Sequence, residues 1–161
     1  MAASHRILFV CMGNICRSPV AEGVFIHRAR ERGVLDRFEV DSAGTGGWHA
    51  GERPDRRSLA VAAKHGIELP SRARQVTQDD FIRFDRLIVM DRENHSDLLD
   101  RGAPKSKLEF LLAYHPEPAI LPRGIEVPDP YYGGPEGFDD MYSMIDAACV
   151  GLLDELLRSR S

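Results

Sequence analysis

The stretch Cys11-Met12-Gly13-Asn14-Ile15-Cys16-Arg17-Ser18-Pro19 sets a cysteine at the end of an apolar run, with an arginine six positions later. A hydroxyl and a helix-opening proline follow. A tight loop of this kind, closing onto a helix N-terminus, aims several backbone N–H groups into one small volume, and the helix dipole adds partial positive charge there. Gly13 lets the backbone turn. Arg17 brings a planar fork of donors able to grip two oxygens of a tetrahedral anion. The same field that holds an oxyanion also stabilises a thiolate. Cys11 is therefore a candidate nucleophile, lying under a bound phosphorus centre. The nucleotide-binding phosphate loop needs Gly-x-x-x-x-Gly-Lys-Ser/Thr. Residues 11–19 contain one glycine and no lysine.

The flanking elements must hold this loop. Ile7-Leu8-Phe9-Val10 is a continuous apolar run that suits a strand buried on both faces. Pro19 fits the first helical position, with Ser18 as N-cap, and Val20, Val24 and Ala21, Phe25, Ala29 recur at helical spacing. Further strands are expected at Phe38–Ser42, Leu87–Met90 and Leu108–Leu112. Helices are expected from Pro54 to His65, with Leu59, Val61, Ala62 and Ala63 inside, and from Arg92 to Asp100. A short helical turn is expected from Gln78 to Phe81. Residues 115–137 carry six of the ten prolines and four of the fourteen glycines, which predicts a long ordered loop of the kind that often serves function. A final amphipathic helix is expected from Asp139 to Leu157, with Met141, Ile145, Cys149, Leu152 and Leu156 on one stripe. Cys149 then reads as a small buried hydrophobe. Strands alternating with helices imply a parallel sheet covered on both faces. Ligands of such sheets bind at the carboxyl ends of the strands, where Cys11 falls.

Composition narrows the class. The 161 residues suffice for one domain with a full core, and 43% hydrophobic and 29% charged residues are ordinary for a globular chain. A net charge of −4 argues against nucleic acid as the main partner. No apolar segment reaches the roughly 20 residues of a membrane span. Met1–Arg6 leads straight into the first apolar run, so no signal peptide is expected. Three cysteines fit a reducing, cytoplasmic compartment better than a disulfide framework. Cys11 and Cys16 lack the second pair or nearby histidine that a metal site would need.

Four segments together resemble the low-molecular-weight protein tyrosine phosphatases. They are Cys11–Pro19, Ser42-Ala43-Gly44-Thr45-Gly46-Gly47-Trp48-His49, Met90-Asp91-Arg92-Glu93-Asn94 and Asp129-Pro130-Tyr131-Tyr132-Gly133-Gly134. They appear in family order across nearly the whole chain. The resemblance implies an α/β fold, a single Rossmann-like three-layer domain over 1–161 with a four-stranded parallel sheet in the order 2-1-3-4. It implies phosphotyrosine and aryl phosphate hydrolysis through a phosphocysteine on Cys11, with Asp129 as general acid and then base. Phosphate would be held by Arg17 and the loop of Met12, Gly13, Asn14, Ile15, Cys16 and Ser18, with Ser18 also stabilising the thiolate. Asn14 and Ser42 resemble the pair that shapes the loop, and Asp91 a carboxylate near the arginine. Trp48, Tyr131 and Tyr132 would wall a slot for the aromatic ester. Cys16 would capture oxidised Cys11 as a reversible disulfide. No metal or other cofactor is implied. The expected partners are a phosphotyrosine protein substrate and competing phosphate or other oxyanions, with the chain a monomer or weak dimer, free of nucleic acid and membrane.

One departure stands out: many family members carry a histidine where this chain has Ser71, just before Arg72-Ala73-Arg74-Gln75. Ser71 or a water must then support the loop. The sequence also bears on competing activities. Thiol-dependent arsenate reductases share the Cys-x₅-Arg loop but relay oxidation through further cysteines, and here only Cys16 and Cys149 remain. Protein-arginine phosphatases tend to carry threonine where this loop has Ile15. A phosphate-binding module without catalysis would be expected to lack the nucleophile or the acid.

Overall fold

The computed structural model describes residues 3–131 and 133–158, with Pro135 described by its backbone alone. The strands are β1 (His5–Cys11), β2 (Phe38–Gly44), β3 (Arg86–Val89) and β4 (Leu108–Phe110). The helices are α1 (Arg17–Glu31), α2 (Arg56–Lys64), α3 (Gln78–Arg83), α4 (Arg92–Asp100) and α5 (Pro135–Arg158). The strands form one parallel sheet in the order β2-β1-β3-β4, as expected from the sequence.

Side chains along a strand alternate between faces, and β1 feeds two separate cores. Ile7, Phe9 and Cys11 join the layer under α1, α2 and α5, whereas Leu8 and Val10 join Phe81, Phe84 and Leu98 on the α3–α4 side. Both faces of β1 and β3 are buried, which is why Ile7–Val10 and Leu87–Val89 read as unbroken apolar runs. Phe25 meets Phe38 edge-on at 5.1 Å between centroids and packs tilted against Phe9 at 6.0 Å. Fully burying such a side chain contributes about 3 kcal/mol. The α5 stripe of Met141, Ile145, Cys149, Leu152 and Leu156 is entirely buried. Arg28 on α1 grips Asp146 on α5 with two bonds of 2.9 and 2.8 Å.

Several boundaries differ from expectation. The strand expected to reach Leu112 stops at Phe110 and turns into a 3₁₀ segment, Leu111–Tyr114. Leu111 and Leu112 both enter the core layer under α5, which the alternation of a strand would forbid. α5 begins at Pro135 rather than Asp139, because proline suits a first helical turn. α2 begins after Pro54, where Asp55 accepts the Arg57 N–H at 2.8 Å as N-cap. In α2, Ala63 is exposed and Ser58 takes a buried position instead. Ser18 is not an N-cap. α1 starts at Arg17 with Cys16 in the capping position, so Pro19 lies third, among the leading residues whose nitrogens have no intrahelical partner. The Ser18 hydroxyl is thereby released for the site below.

Candidate active site

The site gathers at the carboxyl ends of β1, β2 and β3. β1 delivers Cys11, which is 3% exposed. Its Sγ lies 3.0 Å from Ser18 Oγ. Asn14 Nδ2 donates to that same Ser18 oxygen at 2.8 Å and to Ser42 Oγ at 3.0 Å. With its lone pair engaged by Asn14, Ser18 has its own hydrogen available for the sulfur, an arrangement that suits a thiolate. Asn14 sits at φ +56°, in the left-handed region that a short polar side chain tolerates. Its carbonyl oxygen accepts the Arg74 N–H at 3.0 Å, so both ends of the amide are engaged. Gly44 lies beneath it. A Cβ there would sit 2.7 Å from the Met12 carbonyl oxygen and 3.2 Å from Asn14 Cβ, so the close crossing requires glycine.

The Asn14 chain continues into the interior. Ser42 Oγ donates to Glu22 Oε1 at 2.6 Å, and Ser71 lends the same carboxyl a second hydrogen bond. Glu22 is 4% exposed, and burial raises its pKa against the opposing pull of the two hydroxyls. Ser71, the position at which the family resemblance led one to expect a histidine, thus hydrogen-bonds Glu22. Sequence reasoning missed Glu22. The available signal was an acid at the centre of Pro19-Val20-Ala21-Glu22-Gly23-Val24-Phe25, where every neighbour suits a core.

Loop carbonyls face outwards to fixed donors. Thr45 N–H bonds Cys11 O at 2.9 Å, Gly46 N–H bonds Met12 O at 2.9 Å, and Asp55 N–H bonds Ile15 O at 2.8 Å. α1 opens with no side-chain cap and no acidic residue in its first turn, so nothing of its own competes for the positive end of the helix.

Arg17 is 3% exposed. Its Nη1 donates to Asp91 Oδ2 at 2.7 Å and to the Val127 carbonyl at 3.0 Å, and its Nη2 lies 3.7 Å from Asp129 Oδ2. Burial disfavours the charge, but Cys11 and Asp91 outweigh it and raise the guanidinium pKa. Asp91 also caps α4 by accepting the Asn94 N–H at 2.8 Å, so it is held from behind. Asp129 Oδ1 accepts the Tyr131 N–H at 3.1 Å. This closes an Asx turn at Asp129-Pro130, and Oδ2 faces the pocket.

Cys11, Met12, Gly13, Ile15, Cys16 and Arg17 form the pocket floor, and Trp48, His49, Asp129 and Tyr131 its walls. Trp48 is 66% exposed. Its ring covers Gly46, where a Cβ would fall 1.9 Å from a ring carbon. His49 was not singled out from the sequence. It packs its edge on Gly13 and faces the Glu52 carboxylate at 3.2 Å. Burial, then Asp55, Cys11 and Asp129, push the Cys16 thiol up to about 12. Tyr132 lies outside the described residues. Among the described residues, no three His, Cys, Asp or Glu side chains converge as a metal site would require.

The chain resembles known proteins in both sequence and fold. The family described as "Low molecular weight phosphotyrosine protein phosphatase" matches residues 6–161. A Streptomyces coelicolor relative, "Low molecular weight protein-tyrosine-phosphatase", is 46% identical over 154 residues, covering 93% of this chain and 92% of its own. The crystal structure of an Entamoeba histolytica protein tyrosine phosphatase, with Hepes in its active site, superposes with a TM-score of 0.89. It is 37% identical and covers 96% of this chain and 98% of its own. A Drosophila arginine phosphatase superposes with a TM-score of 0.84 at 30% identity, covering 96% of this chain and 99% of its own. With a match that runs from the first strand to the last residue, the chain belongs to the low molecular weight phosphotyrosine protein phosphatase family.

Proposed function

We propose that this protein hydrolyses phosphotyrosine and other aryl phosphates through a phosphocysteine intermediate on Cys11. The observation that carries this reading is the position of Arg17. It lies buried between Asp91 and Asp129, at the mouth of a loop whose cysteine meets a hydroxyl at 3.0 Å. Cys11, Arg17 and Asp129 line a single pocket, which supports their reading as nucleophile, anion clamp and proton donor.

The reaction proceeds in two displacements. The Cys11 thiolate attacks phosphorus, the bond to the aryl oxygen breaks, and protonated Asp129 gives its proton to the leaving phenolate. Asp129, now a carboxylate, takes a proton from water as that water attacks phosphorus. The S–P bond breaks and the thiolate returns. Arg17 and the loop N–H groups stabilise the equatorial oxygens in both transition states. Inorganic phosphate and similar oxyanions compete for the same cradle. Cys16 serves as the thiol that condenses with oxidised Cys11, and the reducing cytoplasm is the compartment in which the enzyme stays active. The chain works as a monomer or weak dimer.

Arginine phosphatase activity is the second reading, supported by the Drosophila structure. Ile15, which lines the floor, and the aromatic walls of Trp48 and Tyr131 favour the tyrosine ester. Parallel assays on phosphotyrosine, phosphoarginine and arsenate decide between them. Phosphotyrosine turnover at least tenfold above the others is expected. Equal or faster phosphoarginine hydrolysis would overturn the substrate assignment. Retention of full turnover by Cys11→Ser would overturn the mechanism.

A further inference from the structure

The start of α2 stands between the two loops that carry the chemistry. It is fastened to the anion loop by the Asp55 N–H on Ile15 O at 2.8 Å, and by Ser58 Oγ, which donates to Cys16 O at 3.4 Å. The Asp55 carboxylate in turn holds the Arg57 side chain with two bonds, Nε to Oδ1 at 3.0 Å and Nη2 to Oδ2 at 3.1 Å. Held in that plane, the guanidinium carbon lies 4.5 Å from the centroid of Phe138 and 5.4 Å from that of Tyr131. Phe138 is buried in the first turn of α5. Tyr131 follows Asp129 by two residues, gives its N–H to that acid, and lines the pocket.

We propose that Arg57 is a positioning residue that ties the acid loop to the anion loop and holds Tyr131 as the wall against which the substrate ring lies. The proposal rests on the aryl phosphatase reading above. Arg57 does not contact the reacting atoms. It uses the edge of a planar cation on Asp55 and its faces on two aromatic rings, a combination that lysine cannot reproduce. The chain of contacts runs from Ile15 through Asp55 and Arg57 to Tyr131, without passing through Arg17. It gives the acid loop a second tether, separate from the bond between Arg17 and the Val127 carbonyl. Packing of α2 on α5 does not depend on it. Lys64 pairs with Asp139 at 2.8 Å and His65 stacks on Tyr142 at 4.1 Å, further along both helices.

The test is a double-mutant cycle of Arg57→Gln and Tyr131→Leu, with Arg57→Lys as the conservative comparison. Steady-state kinetics are measured on a phosphotyrosine peptide and on p-nitrophenyl phosphate, with inorganic phosphate as competitive inhibitor. Arg57→Gln should raise KM for the peptide about threefold to tenfold, with kcat changing less. The phosphate inhibition constant, which reads the anion loop alone, should move less than about twofold. The KM effect should vanish in the Tyr131→Leu background, and Arg57→Lys should recover less than half of it. Full additivity with Tyr131→Leu, an equal loss of phosphate binding, or no change in KM would overturn the assignment. If the wild type fails on phosphotyrosine and prefers phosphoarginine, the substrate reading fails. The same cycle on p-nitrophenyl phosphate then still decides the role of Arg57, because it reports contact with an aromatic ester.

Discussion

Ser42 Oγ donates to Glu22 Oε1 at 2.6 Å while accepting from Asn14 at 3.0 Å, so the shape of the anion loop is anchored on a buried carboxyl. Among the described residues, that carboxyl accepts from two hydroxyls, Ser42 and Ser71, with Asp41 and Arg74 acting at a distance. Burial raises its pKa, and the two hydroxyls reduce the rise without cancelling it. The folded protein therefore holds this proton more tightly than the unfolded chain, whose glutamates titrate near 4.5. Below that value the contribution to stability is fully present. As pH climbs from 4.5 towards the raised folded value, the unfolded state releases its proton first and the contribution is lost. Glu22→Gln should flatten this slope. Melting temperatures of wild type and variant, taken at intervals from pH 4 to 8, should diverge in the variant's favour as pH rises. Parallel curves would show that Glu22 titrates as an ordinary acid.

Asp129 faces the pocket with Oδ2 while Oδ1 holds the Tyr131 amide. Asp129→Asn keeps that turn and removes the transferable proton. General acid catalysis is worth about 10²–10⁴-fold, and most where the leaving group is most basic. The variant should therefore slow phosphotyrosine hydrolysis more than p-nitrophenyl phosphate hydrolysis. Equal slowing of the two would indicate that Asp129 orients substrate rather than donating a proton.

The three cysteines should separate by reagent. Cys16, pushed up to about 12 chiefly by burial, and Cys149, fully buried and raised well above the ordinary value, both stay protonated at neutral pH. Iodoacetamide at pH 7 should then place a single adduct on Cys11, and inorganic phosphate should block it, as read by peptide mass spectrometry. Brief peroxide should inactivate the wild type reversibly, with a thiol reductant restoring activity. Cys16→Ser should recover far less, because nothing then intercepts the sulfenic acid.

Asp91 has two duties that substitution can separate. It binds Arg17 at 2.7 Å and caps α4 at 2.8 Å. Asparagine caps helices as well as aspartate does, so Asp91→Asn should leave the melting temperature within a few degrees. It should weaken phosphate binding and kcat/KM about tenfold by loosening a charge-assisted bond. Asp91→Ala should add a loss of about 1 kcal/mol in stability from the missing cap. A variant with intact kinetics would remove Asp91 from the positioning of Arg17.

The residues of the site that were legible in the sequence are those whose chemistry is written in short spacing. Cys11, Arg17 and Ser18 lie on one loop, and strand, loop and helix follow one another with the periods those elements impose. The parallel sheet follows from the same alternation. The carboxylates Asp91 and Asp129 came only with the family resemblance, since no local pattern brings residues 74 and 112 positions away onto one guanidinium. Glu22 and the Asp55–Arg57 pair were missed for different reasons. Glu22 looks like one charge on an otherwise apolar helix face, and its partners come from β2 and the segment at Ser71. Asp55 and Arg57 look like an ordinary helix start, and only the return of the chain at Tyr131 and Phe138 gives them a second purpose. The boundary errors at Ser18 and at Leu111–Leu112 share one cause. In both places tertiary contacts required a hydroxyl or two leucines to face a direction that local preference did not choose.

Trp48 is the single tryptophan of the chain, and it stands 66% exposed over Gly46 at the rim of the pocket. Indole emission responds to hydration and to nearby quenchers, and here every photon comes from one known place. The protein thus carries a built-in optical reporter of pocket occupancy. An arriving aromatic ester that dries the indole should shift its emission to the blue, while bare phosphate, bound deeper in the loop, should leave the spectrum almost unmoved. Stopped-flow fluorescence could then resolve docking of the ring from capture of the anion, without label or mutation.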